Sequence, residues 1–448
     1  MEFKDQRFKS NSSNVSLENE SGDLEKDTCS GATVRIEDIE DDSEKPTFDR
    51  LDLTLIIVCI GSYIFDTSTD IYVAYRHYYD GNEWYCGLTS VFIIIPLLTM
   101  TGFSLRWYLL DTELPGAPQV SQLRWTFRII FLLLQLGPIL RYIDVIYYGL
   151  KSNNKAKSKR KRETYTWQMI YEDTDAALLR LFESFMEAGP QLILQLYILA
   201  ENTTTDDYEM KTVVVQILSI FASLTSVSWA LSVYQRALRM SLPDKFNMSW
   251  KGTVIYMFWH YFIIASRVLT LALFASYSPL TMSIVCATHW CIMTAWIITM
   301  KTNFCDTRCE ELAYNAVLGV LFIFCYFNPK DSPTRHRYLF YYVFIFAENT
   351  ILMTIWFNYT QKTWFHFPAM IIQFLSFVIG IIFMIVYYLL FHPTGNIHWY
   401  GTWLIFSYYP KNSQENQVNN TLSIQFIPKE DATNEKKDEA TKIDSLKL

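Results

Sequence analysis

The sequence predicts an all-α polytopic membrane protein: eight transmembrane helices plus two re-entrant segments, in two parallel five-segment repeats. Three observations lead there. Long stretches without formal charge recur, beginning with 22 residues over Trp84–Leu105 and continuing, neutral His aside, through Thr212–Gln235, Val268–Met300 and Thr363–Phe391. A hydrocarbon core about 30 Å thick needs about 20 such residues in a helix. The composition agrees, with 51% hydrophobic residues, 29 Tyr, 31 Phe and 13 Trp and a mean hydropathy of +0.10, unusual for a soluble enzyme of 448 residues. Charge is also segregated. Residues 1–50 hold 14 acidic and 7 basic side chains, so the whole net charge of −7 resides there, and the remaining 398 residues carry 31 of each sign.

Ten apolar segments follow in order, at 51–76, 84–110, 123–150, 174–200, 210–238, 252–276, 280–300, 311–328, 338–359 and 364–391. Residues Met1–Arg50 contain no apolar core, so the first segment is expected to act as the insertion signal. Orientation follows from Lys and Arg, which accumulate on the cytoplasmic side. The strongest marker is the loop with Lys151, Lys155, Lys157, Lys159, Arg160, Lys161 and Arg162. Simple alternation from a cytoplasmic amino terminus would put it outside. Segment three, however, breaks at Gln135-Leu136-Gly137-Pro138, flanked by Arg128, Arg141 and Asp144. A segment broken there can dip into the bilayer and return, provided protein buries its freed backbone groups. Segment eight, short and ending in Asn328-Pro329, follows the same logic. Both termini then lie in the cytoplasm, and the sequons at Asn202 and Asn358 fall outside, where glycosylation is possible. The chain divides into an acidic tail expected to be disordered (1–50), a first membrane repeat (51–238), a linker (239–251), a second repeat (252–393) and a carboxyl-terminal tail (394–448).

Charges inside the apolar body are the functional signal, because each costs about 2.5–3.5 kcal/mol to insert unless paired or hydrated. Asp66 and Asp70 stand four apart, on one face of the first span. The fourth segment carries Asp175, Arg180, Glu183, Glu187, Gln191 and Gln195, with Gly189-Pro190 loosening the backbone between them. Positions 180, 183, 187, 191 and 195 step by three and four and trace one polar stripe. Opposite charge is available at Arg141, Arg236, Arg239 and Arg267, with His260 and Glu348 at similar depth. Any one of these is as well explained by a buried ion pair holding helices together. The stripe as a whole suits a track for ions, polar solutes or lipid headgroups.

No Walker A loop, dinucleotide fingerprint, His-Glu-x-x-His or EF-hand loop is present, so no cofactor, no metal and no enzymatic activity are expected. Cys305 and Cys309 lack a second ligand pair and read as free thiols. The basic loop beside a membrane span reads as a topogenic segment that attracts anionic lipid; no nucleic-acid partner is expected.

The stretch Leu181-Phe182-Glu183-Ser184-Phe185-Met186-Glu187-Ala188-Gly189-Pro190-Gln191-Leu192 resembles the signature segment of the XK-related proteins. Ser228-Trp229-Ala230-Leu231 with Tyr234-Gln235-Arg236-Ala237-Leu238-Arg239 is a second match. Asp66-Thr67-Ser68-Thr69-Asp70, Arg267-Val268-Leu269, Tyr387-Tyr388 and His392-Pro393 extend it, in preserved order, over about residues 50–400. The resemblance implies eight spans and two re-entrant segments in a lipid-interacting plasma-membrane protein. Several family members are scramblases that expose phosphatidylserine on apoptotic cells after caspase cleavage of a cytoplasmic tail. By resemblance, Asp66, Asp70, Asp175, Glu183, Glu187, Arg236 and Arg267 would form a hydrophilic track for phospholipid headgroups, working downhill in both directions without ATP. Val233 departs from the pattern, standing where some scrambling relatives carry an acid.

In the amino-terminal tail, Asp42 within Ile39-Glu40-Asp41-Asp42 and before Ser43 best fits caspase cleavage; Asp27 and Asp23 follow. Asp444 and Asp431 are carboxyl-terminal alternatives. Two other functions stay open on the residues alone. One is an XK-type adaptor that binds an accessory membrane, lipid-transfer or enzyme partner without moving lipid. The other is a solute transporter or channel using the same track.

Overall fold

A computed structural model of the chain describes residues 48–393, apart from 114–120, 135, 203–209, 243–245, 303, 306 and 329–334. Every regular element among the described residues is helical. α1 (Arg50–Tyr79) starts at a capping box in which Asp49 and Asp52 satisfy each other's backbone N–H groups. It turns at Gly81, whose φ of 77° needs a residue without Cβ, into α2 (Glu83–Glu113). α3 (Gln122–Leu133) and α4 (Gly137–Ser152) follow. α5 (Lys159–Glu183) runs through a π-helical turn, Ser184–Ala188, into α6 (Gly189–Asn202). α7 (Met210–Ser241) completes the first half. The second half comprises α8 (Trp250–Tyr277), α9 (Pro279–Met300), α10 (Arg308–Phe324), α11 (Arg335–Tyr359) and α12 (His366–Val386), which ends in a second π turn, Tyr387–Phe391.

Seven helices are long and apolar enough to cross a bilayer: α1, α2, α7, α8, α9, α11 and α12. The protein is therefore a multi-pass membrane protein. The segment predicted at 174–200 stands outside this set for two reasons. Asp175, Arg180, Glu183 and Glu187 lower its hydropathy, and the π turn divides it. Pro190 accounts for the turn's position, because its ring cannot accept a regular turn against the carbonyl of residue 186. α8 is the axis of the molecule, with 67% of its most apolar stretch buried, against 11% for α1.

The predicted break at Gly137-Pro138 is present as the gap between α3 and α4. At about 1.5 Å per residue these helices are roughly 18 and 24 Å long, each short of the hydrocarbon core. They lie antiparallel: Arg124, near the start of α3, bonds Asp144 and Tyr148 in the second half of α4. The end of α4 returns to the beginning of α1. A Cβ on Gly149 would stand 2.6 Å from the Phe48 ring, and Asn153 donates to the Phe48 carbonyl.

α10 also stops inside the molecule. Its last carbonyls meet Arg267 of α8 and His289 near the middle of α9, and these groups join Glu348 and Asn349 near the middle of α11. The chain then runs extended from Cys325, and Tyr326 packs on Tyr338 in the first turn of α11, ring centroids 4.6 Å apart.

Candidate lipid track

Three groups of charges occupy the membrane-embedded body. The first links α1 to α5 and α6. Arg180 reaches across to Asp66 at 3.0 Å and along its own helix to Glu183 at 2.8 Å. One turn further, the Asp70 and Glu187 carboxyls hydrogen-bond each other, and Gln191 lies beside Asp70. The π turn carries Glu187 into this position. At the other end, Asp52, Asp173 and Arg236 share one electrostatic neighbourhood. Arg236 also donates to the Met248 carbonyl and lies 4.1 Å from the Trp250 ring centroid. Asp173 precedes the apolar segment; burial, with Asp52 nearby, raises its carboxyl to about 6.

Asp66 with Arg180 and Asp70 with Glu187 follow one another up the two helices, and Asp52 lies within electrostatic reach of Asp173. From residue 52 to residue 70 is roughly 27 Å of helix, close to the hydrocarbon thickness. The backbone of α1 packs on α2 and α4, and it reaches α5 through long side chains. The groove between is open on one flank, where the Asp66 side chain stays 48% exposed while Glu183 is 7% exposed. Such a groove offers polar groups to a headgroup along its length and leaves the flank to acyl chains.

The second group braces α3 and α4. Arg141, fully buried, bonds Glu172 at 2.6 Å and Asp175 at 3.2 Å. Asp144 takes Arg124 at 2.6 Å, Arg128 at 3.2 Å and the Tyr108 hydroxyl. The Tyr108 ring lies between two guanidinium groups, Arg128 at 3.9 Å and Arg141 at 3.7 Å from its centroid. Three arginines meet three carboxylates, so the group is neutral. Asp175, which the family resemblance puts on the track, belongs to this brace.

The third group closes α10. Arg267 donates to the Ile323 carbonyl at 2.9 Å and to Asn349 Oδ1 at 2.7 Å, and pairs with Glu348 at 3.1 Å. His289 and Tyr341 both bond the Phe322 carbonyl. A helix ending away from water needs partners for its last carbonyls, and a cation suits the negative end of its dipole. Arg267 is therefore apart from the Asp66–Arg180 set and acts on the backbone of α10.

The predicted track thus divides: Asp66, Asp70, Arg180, Glu183, Glu187 and Gln191 come together, Arg236 joins Asp52 and Asp173 at one end, and Asp175 and Arg267 face other partners. Sequence reasoning passed over Asp52, Glu172, Asp173, His289 and Asn349. For His289 and Asn349 the signal was present, since each interrupts a long apolar run. Asn358 is exposed in the last turn of α11, its amide donating to the Thr354 carbonyl. Asn202 ends α6, and the two threonines of its sequon, like Asp23, Asp27 and Asp42, lie outside the described residues. Cys305 and Cys309 are free thiols.

A family model described as XK-related protein matches residues 54–393, a span that takes in all three charge groups except Asp52. The chain belongs to the XK-related family. XK-related protein 8 of Tetraodon nigroviridis is 29% identical over 352 residues, covering 77% of this chain and 84% of the relative. The Gasterosteus aculeatus protein of the same name is 31% identical over 364 residues, covering 78% and 87%. In this XK-related chain Val233 packs against the main apolar core, so the missing acid is not replaced at that position.

Proposed function

We propose that this XK-related protein is a phospholipid scramblase of the plasma membrane. It would move lipid in both directions without ATP, expose phosphatidylserine in apoptosis, and be activated by caspase cleavage of a cytoplasmic tail. The family includes scramblases. The observation that carries the reading is the set of polar groups between α1 and α5–α6, Asp66, Asp70, Arg180, Glu183, Glu187 and Gln191, exposed on one flank at Asp66. A headgroup passing along it would exchange hydration for Arg180, the carboxyls and Gln191 in turn, while its acyl chains stay in lipid.

The topology proposed with it has eight spans, with α5 and α6 as the fourth, and two re-entrant elements, α3–α4 and α10, in two five-segment repeats. The antiparallel pairing of α3 with α4 supports this, as does the return of α4 to Phe48. Both termini would be cytoplasmic.

The test is dithionite quenching of fluorescent phospholipid in liposomes holding purified protein, intact or truncated after Asp42. Truncated protein is expected to expose inner-leaflet lipid rapidly. Protein proven folded and oriented that leaves the inner leaflet protected in both forms would refute the proposal. Ionic currents without lipid movement would favour a channel using the same groove.

A further inference from the structure

The structure places the start of α1 against the end of α4, which leads into the basic stretch 151–162. Phe48 is buried against Gly149, and Asn153 holds its carbonyl. Beyond Ser152 a short loop leads into α5, and Lys155 in the loop and Lys159, Arg160 and Lys161 at the helix start are exposed. Asn154 orders this loop by accepting from the backbone N–H of Ala156 and Lys157. Lys159, Arg160, Lys161 and Arg162 then form the first turn of α5, whose Ser158 makes no side-chain cap. A helix start is the positive end of its dipole and favours acids. Four consecutive cations at that end suit an acidic segment.

The chain that ends on Phe48 carries the complementary charge. Residues 37–44 read Glu37-Asp38-Ile39-Glu40-Asp41-Asp42-Ser43-Glu44, six acids in eight positions. They lie four to eleven residues before Phe48, a reach of at most about 14 to 37 Å. A tether this short gives an effective concentration of about a millimolar or more.

We propose that the acidic segment 37–44 docks on the basic surface formed by 151–162, beside the first turn of α5. Its regulatory meaning rests on the scramblase reading, whereas the docking does not. Asp42, the best candidate for cleavage, lies inside the docked segment. Cleavage there would remove five of the six acids from the tether and free the surface that begins α5, the helix carrying Arg180 and Glu183.

The test is limited trypsin digestion of full-length protein in vesicles, with the cytoplasmic face outward. The comparison is a variant with Glu37→Gln, Asp38→Asn, Glu40→Gln, Asp41→Asn, Asp42→Asn and Glu44→Gln. Lys45 precedes Pro46, a bond trypsin spares, and only chains uncut at Arg50 are scored, so the segment is still attached in the molecules counted. Cleavage within 155–162 is expected to be about fivefold slower in the parent protein at about 0.05 M salt. The difference should vanish near 0.5 M, where the screening length falls to about 4 Å. Equal cleavage of parent and variant at low salt would overturn the proposal. So would protection that appears with phosphatidylserine vesicles, is absent with phosphatidylcholine vesicles, and ignores the tail substitutions, because lipid would then be the occupant. Lipid movement measured on the same vesicles separates the two failures. Protection without any scrambling sinks the function and leaves the docking; scrambling without tail-dependent protection does the reverse.

Discussion

Arg180 is the residue on which the groove depends, since it bridges α1 and α5 by charge at mid-depth. It holds Asp66, half in contact with the outside, and Glu183, almost enclosed. Arg180→Ala leaves Glu183 buried without its partner, so we expect a loss of about 2–3 kcal/mol; the exposed Asp66 contributes little of this. Arg180→Lys keeps the charge and gives up one of two simultaneous bonds, so it should fall between. Thermal unfolding in detergent reads both. Arg267→Ala should cost more, about 3–5 kcal/mol, because its side chain is fully enclosed: Asn349 Oδ1 and the Ile323 carbonyl lose their donor, and Glu348 is left with His289 alone. Asp173 supplies the pH dependence. Its carboxyl titrates near 6 in the folded protein and about 3.9 when unfolded. The folded state therefore carries a penalty that is absent below the unfolded value, grows between the two, and is complete above 6. Asp173→Asn should raise stability by about 1–2 kcal/mol at pH 7.5 and change nothing at pH 3.5. A melting-temperature series over pH checks the sign.

At the scale of elements, the two halves meet where each breaks regularity. Gly189 follows the π turn, and a Cβ there would stand 2.9 Å from the Phe324 ring at the end of α10. Phe324 is buried and packs on Phe185, centroids 5.9 Å apart, so it has no room to withdraw. Gly189→Ala should destabilise by about 1–3 kcal/mol, and Phe324→Leu in the same chain should recover part of that loss. Additive losses in the double variant would show that the contact does not join the halves. The break at Gly137-Pro138 was legible in the sequence because both residue types act on the backbone locally. The π turn was legible only as a loosening at Gly189-Pro190, since widening a turn depends on what packs around it. The division of the polar stripe was not legible at all. Burial cost identifies Asp175 and Arg267 as residues needing partners, but only the helix arrangement assigns Arg141 to one and the α10 carbonyls to the other.

For the whole molecule, the decisive constraint is that one face holds the beginning of α1, the end of α4 and the beginning of α5. The Phe48–Asn153 bond and the packing of Phe48 on Gly149 put these points together regardless of any charge rule. With α1 and α2 both crossing, α3–α4 must enter and leave on that face, which makes the basic loop cytoplasmic if the amino terminus is. α10 begins near the end of α9 and stops at mid-depth, so the 301–308 loop and the start of α11 belong together by the same geometry. Impermeant labelling of single reporter tags tests this arrangement directly. Tags at the amino terminus, at Ala156 and beside Lys301 should all stay unlabelled on intact cells and become labelled on permeabilisation. Tags in the 203–209 and 360–363 connections should be labelled without permeabilisation. An Ala156 tag labelled from outside, with the amino terminus still protected, would put the basic loop and the start of α1 on opposite sides, although Asn153 and Gly149 meet Phe48. That result would remove both the re-entrant hairpin and the docking surface built beside it.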